Sequence, residues 1–322
     1  MTAARQRISV VMATCNGAPF LARQLESVLG QTRPADEIVI VDDASQDDTV
    51  AVVGRYARSG PVRLEVNPAR LGPNGNFEKG LRLSSGDLIF FCDQDDVWLP
   101  EKIEAMSRQA DGADLLYSDA ELIDDRDRVI RESELRDYLR SRPVAGDNAW
   151  FFTQGNCVSG HNLVISRALA ERALPFPDGV MYDQWLALVA AATGGIAYLD
   201  RRLCRHRIHD RNFCNNQLLV KETQGSPRRP KGTLRERFLE RQGRIRRLVD
   251  LLGERGLLPV SLEPVRDHFA RLDRTFFDVP LFRHMVRNLD RYFPNRKGLD
   301  RLDQAIKFCR GARGYWLPSV KV

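Results

Sequence analysis

Short apolar segments that end in polar or acidic residues recur through the first third of this 322-residue chain. Residues 8–13, 37–41 and 87–92 each have the length and composition of a buried strand. Segments with helical apolar spacing lie between them, at 20–29 and 76–83. This alternation indicates βαβ units and a mostly parallel sheet flanked by helices. Right-handed crossovers would bring the carboxyl ends of these strands to one edge, so the sequence predicts an α/β fold with a ligand-binding edge.

The most acidic of these strand ends follows the segment 87–92. Asp93, Asp95 and Asp96 lie within four positions, and carboxylates so close together repel one another unless a cation joins them. Mg²⁺ and Mn²⁺ take oxygen ligands, usually one or two carboxylates plus the oxygens of a bound phosphate. We therefore expect a nucleotide diphosphate to be bound here with a divalent metal. A solvated acidic loop is the alternative interpretation.

Composition favours an ordinary globular protein. A hydrophobic fraction of 43% is ample for a buried core in one large domain or two smaller ones. No apolar stretch approaches the roughly 20 residues that span a bilayer, and residues 1–7 do not resemble a secretory signal, so we expect a cytoplasmic protein. The six cysteines lack C-x-x-C spacing, which argues against a disulfide framework or a cysteine-bound structural zinc site.

Charge divides the chain into two parts. Residues 1–220 contain 25 basic and 31 acidic residues, whereas residues 221–322 contain 24 basic and 12 acidic residues. The composition changes near residues 224–230, which are rich in Gly and Pro and have the character of a linker. Beyond residue 230 the apolar spacing is helical. We predict an α/β domain over residues 1–220 and a basic, mainly helical region over residues 221–322.

The motifs at the strand ends resemble family 2 glycosyltransferases of the GT-A fold. Residues 8–17, 38–45 and 92–98 carry the similarity in the family's order. The Asp-Gln-Asp-Asp-x-Trp form is most similar to rhamnosyltransferase-type members that build bacterial surface polysaccharides. The similarity covers roughly residues 7–215 and implies a GT-A catalytic domain, while the C-terminal third resembles no family that we recognise.

The resemblance implies a donor site for a dTDP- or UDP-sugar. Asp93 and Asp95 match the D-x-D motif, which would hold Mg²⁺ or Mn²⁺ against the diphosphate. His209 matches a histidine that would complete the metal shell. His206 stands where the family often has Tyr, which leaves open which of the two histidines is functional. The implied nucleotide-binding residues are Thr14, Asn16, Asp42, Asp43, Asn76, Lys79 and Asp93.

An acceptor site is implied by a second group of motifs. Asp183 matches the general base, which would take a proton from an acceptor hydroxyl and so invert the anomeric configuration. Gly160, His161 and Trp185 match the acceptor pocket, with Trp185 stacking on a sugar ring. Three of the implied residues also have a purely structural interpretation. Asp183 could be a helix cap, Trp185 an ordinary core residue, and His209 a surface histidine.

The expected function is a metal-dependent inverting glycosyltransferase. It would move rhamnose or another hexose from a nucleotide-diphosphate sugar to a glycan or lipid-linked glycan. A non-catalytic nucleotide-sugar-binding scaffold is the main alternative. A nucleotide-sugar pyrophosphorylase is disfavoured because residues 14–20 contain no basic phosphate-binding residue, and a Rossmann oxidoreductase because G-x-G-x-x-G is missing there.

The basic C-terminal region suggests a surface partner. Acidic residues are interspersed and no aromatic-basic platform is evident, so nucleic acid is not expected. Cationic amphipathic helices and the aromatic residues within 313–318 are compatible with peripheral contact to the inner face of the plasma membrane. A fully solvated, Arg-rich helical bundle is the alternative.

Overall fold

A nine-stranded sheet forms the centre of the protein in the computed structural model, which describes residues 5–58, 60–110, 112–210, 212 and 234–311. Its strands are β1 (Ile8–Thr14), β2 (Glu37–Asp42), β3 (Val62–Val66), β4 (Leu88–Cys92), β5 (Val97–Trp98), β6 (Leu115–Ile123), β7 (Val129–Arg131), β8 (Leu163–Ser166) and β9 (Ile196–Arg207).

The strand order brings the polar strand ends together at one edge of the sheet, as predicted. It runs β3-β2-β1-β4-β8-β6-β9-β5, and β7 pairs with β6. Because β1 pairs in parallel with both β2 and β4, the polar ends of these three strands lie side by side. The rest of the sheet is mixed, since β8 is antiparallel to both β4 and β6. Parallel pairing is therefore concentrated in the first four strands and in the β6–β9 pair.

Helices cover both faces of the sheet. Pro19 and Pro73 lie in the first turns of two of them, where the proline ring suits the backbone and its missing N–H is not needed. The helices are α1 (Ala18–Leu29), α2 (Thr49–Tyr56), α3 (Gly72–Leu83), α4 (Lys102–Gln109), α5 (Ala149–Gln154), α6 (Arg167–Ala173), α7 (Tyr182–Thr193), α8 (Leu234–Glu254), α9 (Glu263–Arg271), α10 (Val279–Arg287), α11 (Leu289–Tyr292) and α12 (Leu299–Phe308).

Two hydrophobic cores lie on opposite faces of the sheet. Successive side chains of a strand point to opposite faces, and the central strands supply both cores. Val11 and Phe91 belong to the core that includes α7, whereas Val10 and Phe90 belong to the core that includes α1. All four side chains are fully buried. This double burial explains why the strands read as continuous apolar runs rather than as alternating ones.

The C-terminal helices pack against the α/β part of the molecule. Ile245, Leu248, Val249 and Leu252 of α8 are buried in the same core as Phe152 of α5. Each of these buried side chains contributes roughly 1.5–3 kcal/mol relative to exposure. The predicted α/β fold with a C-terminal helical extension is thus confirmed.

Some sequence predictions lie outside the described residues. The linker at 224–230, the boundary between residues 220 and 221, and the aromatic residues within 313–318 are among them, and the division into two domains stays a prediction. Among the described helices, none is both long and apolar enough to cross a membrane.

Residues 119–147 are dense in charged side chains, a composition typical of a surface helix or loop. Strand β6 continues through this segment to Ile123, and a π-helical turn (Glu134–Tyr138) follows β7. Ser133 and Glu134 at the start of the turn are both 4% exposed. The charge density of the segment suggested a solvated surface, but Glu134 turns inward.

Candidate active site

The polar strand ends open into a cavity of about 660 Å³. Its wall extends from the end of β1, past the loop after β4, to the start of α7. Most of the residues selected from the sequence meet here, from both the donor and the acceptor motifs. The predicted site residues that line the cavity are Thr14, Asp43, Asn76, Asp93, Asp95, Gly160, His161 and Asp183.

The two adjacent aspartates after β2 have different surroundings. Asp42 is fully buried and does not line the cavity; it accepts hydrogen bonds from Thr14 Oγ1 (2.9 Å) and from the backbone N–H of Ser45 (2.9 Å). Asp43 lines the cavity and accepts from the backbone N–H groups of Leu71 (2.6 Å) and Gly72 (3.0 Å). Asp42 therefore holds the strand-end loops together, and of the two aspartates only Asp43 faces the cavity.

Asn16 stabilises the loop after β1 and does not line the cavity. Its φ is 51°, a left-handed conformation that Asn tolerates better than most residues. Its Oδ1 accepts from the backbone N–H of Gln46 (2.8 Å), and its own N–H donates to Ser45 Oγ (2.8 Å). The side chain thus joins the loops after β1 and β2, and it is not among the residues that line the cavity.

The two donor-site residues predicted on α3, Asn76 and Lys79, line different pockets in the structure. Asn76 lines the cavity, where its Oδ1 accepts from Asn67 Nδ2 (2.6 Å). Lys79 instead lines a different pocket of about 440 Å³. Its Nζ lies 2.9 Å from Glu65 Oε1 and donates to Asn67 Oδ1 (2.9 Å). Lys79 lies one turn further along α3 than Asn76 and is held by Glu65 and Asn67, so it does not line the cavity.

The acidic loop after β4 is anchored by one buried arginine. The Arg207 backbone N–H donates to Asp96 Oδ1 (3.0 Å), and Arg207 Nε donates to the carbonyl oxygen of Asp95 (2.8 Å). Asp96 is fully buried, so it belongs to this scaffold. Asp93 and Asp95 face the cavity. Removal from water and the negative charges of Asp96 and Asp95 raise the pKa of Asp93 to about 7.

His209 lies beside the acidic loop, whereas His206 does not. His209 Nε2 is 2.9 Å from Asp95 Oδ2, and the His209 ring lies 4.9 Å from the ring of Phe20. His206 Nδ1 lies 3.0 Å from Glu134 Oε1 instead. The histidine that can act together with the D-x-D carboxylates is therefore His209.

These residues fit a hard divalent cation. The crowded charges that raise the pKa of Asp93 are relieved by a cation, and two carboxylates with an open cavity in front suit Mg²⁺ or Mn²⁺ completed by phosphate oxygens. Within the described part of the chain, Asp93, Asp95 and His209 do not form a preformed three-ligand cage. The site would therefore depend on a ligand for some of its oxygens.

Across the cavity, Asp183 lies in the first turn of α7. Removal from water raises the pKa of Asp183 to about 6, although hydrogen bonding from the Gln184 backbone N–H (2.7 Å) opposes the shift. Gly160 lies close by: a Cβ at this position would come 2.0 Å from Tyr182 Oη. Gly160 thus lets the Tyr182 ring pack over the Gly160 backbone.

Trp185 does not contact the cavity, which corrects its assignment to the acceptor site. The side chain is fully buried, and Nε1 donates to the carbonyl oxygen of Ala173 (2.8 Å). The guanidinium of Arg255 lies 4.9 Å from the Trp185 ring centre. Residues two apart on a helix point to nearly opposite sides, so Asp183 faces the cavity while Trp185 enters the core.

Sequence reasoning missed Glu134 and left the role of His206 open. Glu134 lines the cavity together with His161 and His206. Each oxygen of its carboxylate lies close to one ring, and the two ring centres are 4.2 Å apart. Nothing in the charged segment around Glu134 marks it as buried, because its neighbours are typical of a solvated surface.

A family model and a curated relative indicate the same kind of protein. The model of glycosyl transferase family 2 matches residues 9–173. An uncharacterized glycosyltransferase of Nostoc sp., alr2836, is 31% identical over 218 residues, which cover 64% of this chain and 66% of the relative.

A second relative and one solved structure extend the comparison. The UDP-Glc:alpha-D-GlcNAc-diphosphoundecaprenol beta-1,3-glucosyltransferase WfgD of Escherichia coli is 32% identical over 97 residues, 30% of this chain and 38% of that protein. The chain thus spans less than two thirds of the length of these curated relatives. The mannosyltransferase PcManGT of Pyrobaculum calidifontis, solved with GDP-Man and Mn²⁺, has a TM-score of 0.53 at 17% identity, covering 94% of this chain and 79% of that one.

Proposed function

Since this chain belongs to glycosyl transferase family 2 and is a glycosyltransferase, we propose that it is a metal-dependent, inverting enzyme. It moves a sugar from a nucleotide-diphosphate sugar to a hydroxyl of a glycan acceptor. One observation carries the proposal: the D-x-D carboxylates and Asp183 line the same cavity although some 90 residues separate them in the sequence. A scaffold that only bound nucleotide sugar would have no need for Asp183.

The donor side would be organised by the strand ends. Asp43 and Thr14 border the part of the cavity next to β1 and β2, where the base and ribose would bind. Asp93 and Asp95, with His209 beside them, would hold Mg²⁺ or Mn²⁺. When bound, the ion would supply positive charge to the diphosphate leaving group. The Mn²⁺ in the structure of the mannosyltransferase supports this assignment.

Asp183 would act on the acceptor. Ionised, its carboxylate accepts the proton of the attacking hydroxyl as that oxygen bonds to the anomeric carbon. A single displacement of the nucleotide diphosphate inverts the anomeric configuration. A base with a pKa of about 6 is ionised at neutral pH yet remains basic enough to take a proton. Gly160 and His161 line the wall near this base.

We propose the substrates by chemical class. The name of the Escherichia coli relative, a glucosyltransferase that uses a UDP-sugar and an undecaprenol-linked acceptor, supports UDP or dTDP as the nucleotide and a lipid-linked glycan as the acceptor. The sugar would be a hexose or a deoxyhexose such as rhamnose, placed in a bacterial surface polysaccharide.

A lipid-linked acceptor would require contact with the membrane. The exposed face of α10 combines apolar and cationic residues: Val279 is 45% exposed and Val286 is 40% exposed, and Arg283 and Arg287 are exposed beside them. Phe276, just before this helix, is 58% exposed. Such a face suits an anionic lipid surface. We therefore place the enzyme peripherally at the inner face of the plasma membrane.

The proposed function is tested by metal-dependent turnover. Release of nucleoside diphosphate is measured from a panel of nucleotide sugars with Mn²⁺ or Mg²⁺, first with water and then with lipid-linked acceptors. Asp95→Ala is expected to abolish the stimulation by metal, whereas Asp125→Ala, at an exposed position, leaves it intact. Unchanged metal-stimulated turnover in Asp95→Ala would show that the donor site is misassigned.

A further inference from the structure

A compact cluster of two imidazoles and one carboxylate lies in the cavity wall, and the proposed reaction gives none of the three a proton-transfer or donor-metal role. His206 Nδ1 lies 3.0 Å from Glu134 Oε1, and His161 Nε2 lies 3.2 Å from Glu134 Oε2. The side chains are buried: Glu134 is 4%, His161 3% and His206 8% exposed. The three potential ligand atoms lie within 4.8 Å of one another. This spacing suits a single small cation.

Separate elements hold each member of the cluster in place. Glu134 begins the π-helical turn, which is tied to β6 because Ser133 Oγ and Leu135 N–H both donate to Asp119 (2.6 and 3.0 Å). His161 follows Gly160, and its carbonyl oxygen accepts from the buried ammonium of Lys102 (3.1 Å). His206 lies on β9, paired in parallel register with β6. The three ligands are therefore arranged in advance.

One atom of the cluster lacks a hydrogen bond. Within the described residues, His161 Nε2 is shielded from solvent and makes no hydrogen bond, since its contact with Glu134 has ion-pair distance but not hydrogen-bond geometry. Buried polar atoms normally have partners, and one without a partner needs an explanation. A cation between Nε2 and the carboxylate would provide one.

We propose that Glu134, His161 and His206 form a second metal site, which binds a Zn²⁺-class ion and keeps a coordination position open toward the cavity. Two imidazoles and a carboxylate are a ligand set that zinc uses when it retains an open position. Imidazole nitrogen suits Zn²⁺ and its neighbours, whereas Mg²⁺ prefers oxygen throughout. The chemistry of the ligands thus separates this site from the D-x-D carboxylates. An oxygen of a bound ligand, a hydroxyl or a phosphate, would occupy the open position.

The negative charge of the Glu134 carboxylate acts on both imidazole rings of the cluster. Burial lowers the pKa of His206, but the negative charges of Glu134, Asp96 and Asp95 together outweigh burial and raise this pKa to about 10; the charges of Glu134 and Asp96 likewise raise the pKa of His161 against burial. A bound divalent ion would take the place of protons on these rings.

A neighbouring group is the less suitable alternative. Asp96, His161 and Cys204 also offer ligand atoms within 4.8 Å of one another. However, Asp96 and Cys204 are fully buried and do not line the cavity, and Asp96 already accepts from the Arg207 backbone N–H. An ion would have no open path to that group.

Zinc binding by the tag-free, metal-free protein tests the inference without any substrate. Titration calorimetry with Zn²⁺ at neutral pH, in two buffers of different ionisation enthalpy, is expected to give one tight site that releases protons on binding. His206→Gln and Glu134→Gln should each weaken this site by at least about tenfold. Asp95→Asn and His284→Gln should retain it, since the first alters the donor site and the second a partly buried histidine on α10.

A second measurement needs no variant. Co²⁺ bound to the wild-type protein through two imidazoles should produce a visible absorption band that excess Zn²⁺ removes. Absence of that band, equal Zn²⁺ affinity in folded His206→Gln and wild type, or loss of binding in Asp95→Asn alone would each overturn the inference. The inference does not depend on the proposed function, because these measurements detect binding rather than turnover.

Discussion

Replacing Asp183 by Asn should abolish transfer and stabilise the fold at the same time. Removal from water raises the pKa of Asp183 from 3.8 to about 6. A carboxyl whose pKa is raised by folding binds its proton more tightly in the folded state. Keeping it ionised above pH 6 therefore costs stability, at most about 3 kcal/mol at 1.36 kcal/mol per pKa unit. Because Asp183 is partly open to the cavity, the actual gain in Asp183→Asn will be smaller.

The pH dependence follows from the same pKa. At pH 5 only about a tenth of Asp183 would be ionised, so kcat/KM should fall about tenfold for each pH unit below 6. Losing the base should cost about 10²–10⁴-fold at pH 7.5. The extra stability of Asp183→Asn should be largest above pH 7 and shrink as pH falls through 6, disappearing only below pH 3.8, where the wild-type carboxyl is protonated in both states.

Both effects are measured on the same pair of proteins. Rates of nucleoside diphosphate release with donor and acceptor are followed from pH 5 to 9, and urea unfolding is followed over the same range. The reasoning would be refuted if the remaining activity of Asp183→Asn kept the acid limb near pH 6, which would assign that limb to another group. A loss of stability at pH 8 would contradict the desolvation argument.

Two further predictions concern packing and the membrane. Gly160→Ala should destabilise the protein by about 1–3 kcal/mol in urea unfolding because the new Cβ meets Tyr182, whereas Gly155→Ala, with open space around it, should change stability by less than about 0.5 kcal/mol; equal effects would contradict the packing explanation. The double variant Arg283→Gln/Arg287→Gln should bind anionic phosphatidylglycerol vesicles about 30-fold more weakly in sedimentation assays, at about 1 kcal/mol per cation; unchanged binding would exclude this face as the contact.

The positions of site residues that directly follow a strand could be predicted from the sequence. Asp43, Asp93 and Asp95 follow strands that are apolar and buried on both faces, so their convergence at one edge follows from topology alone. Asp42 differs, because in each pair of neighbours only one side chain can face the cavity and the sequence does not show which. Lys79 was misplaced for a similar reason: its direction depends on how α3 is rotated against the sheet.

Features that depend on tertiary burial were not predictable in this way. Glu134 lies in a segment whose charge is typical of solvent exposure, and its burial depends on hydrogen bonds from its neighbours Ser133 and Leu135 to Asp119 of β6. Trp185 shares a motif with Asp183, but the helix carries the two side chains to different environments. A motif therefore indicates which residues lie near a site, and packing decides which of them reach it.

The contact of Arg255 with Trp185 ties the C-terminal extension to the catalytic helix. Arg255, just beyond α8, also donates to the carbonyl oxygens of Ala173 (3.0 Å) and Pro175 (2.7 Å), in the segment that leads into α7. A graft that exchanged this extension for one from another glycosyltransferase would leave Trp185 without its cover and the approach to Asp183 unsupported. The extension and the helix that bears Asp183 are thus physically coupled, and chimaeras should be cut before residue 167 rather than near residue 220.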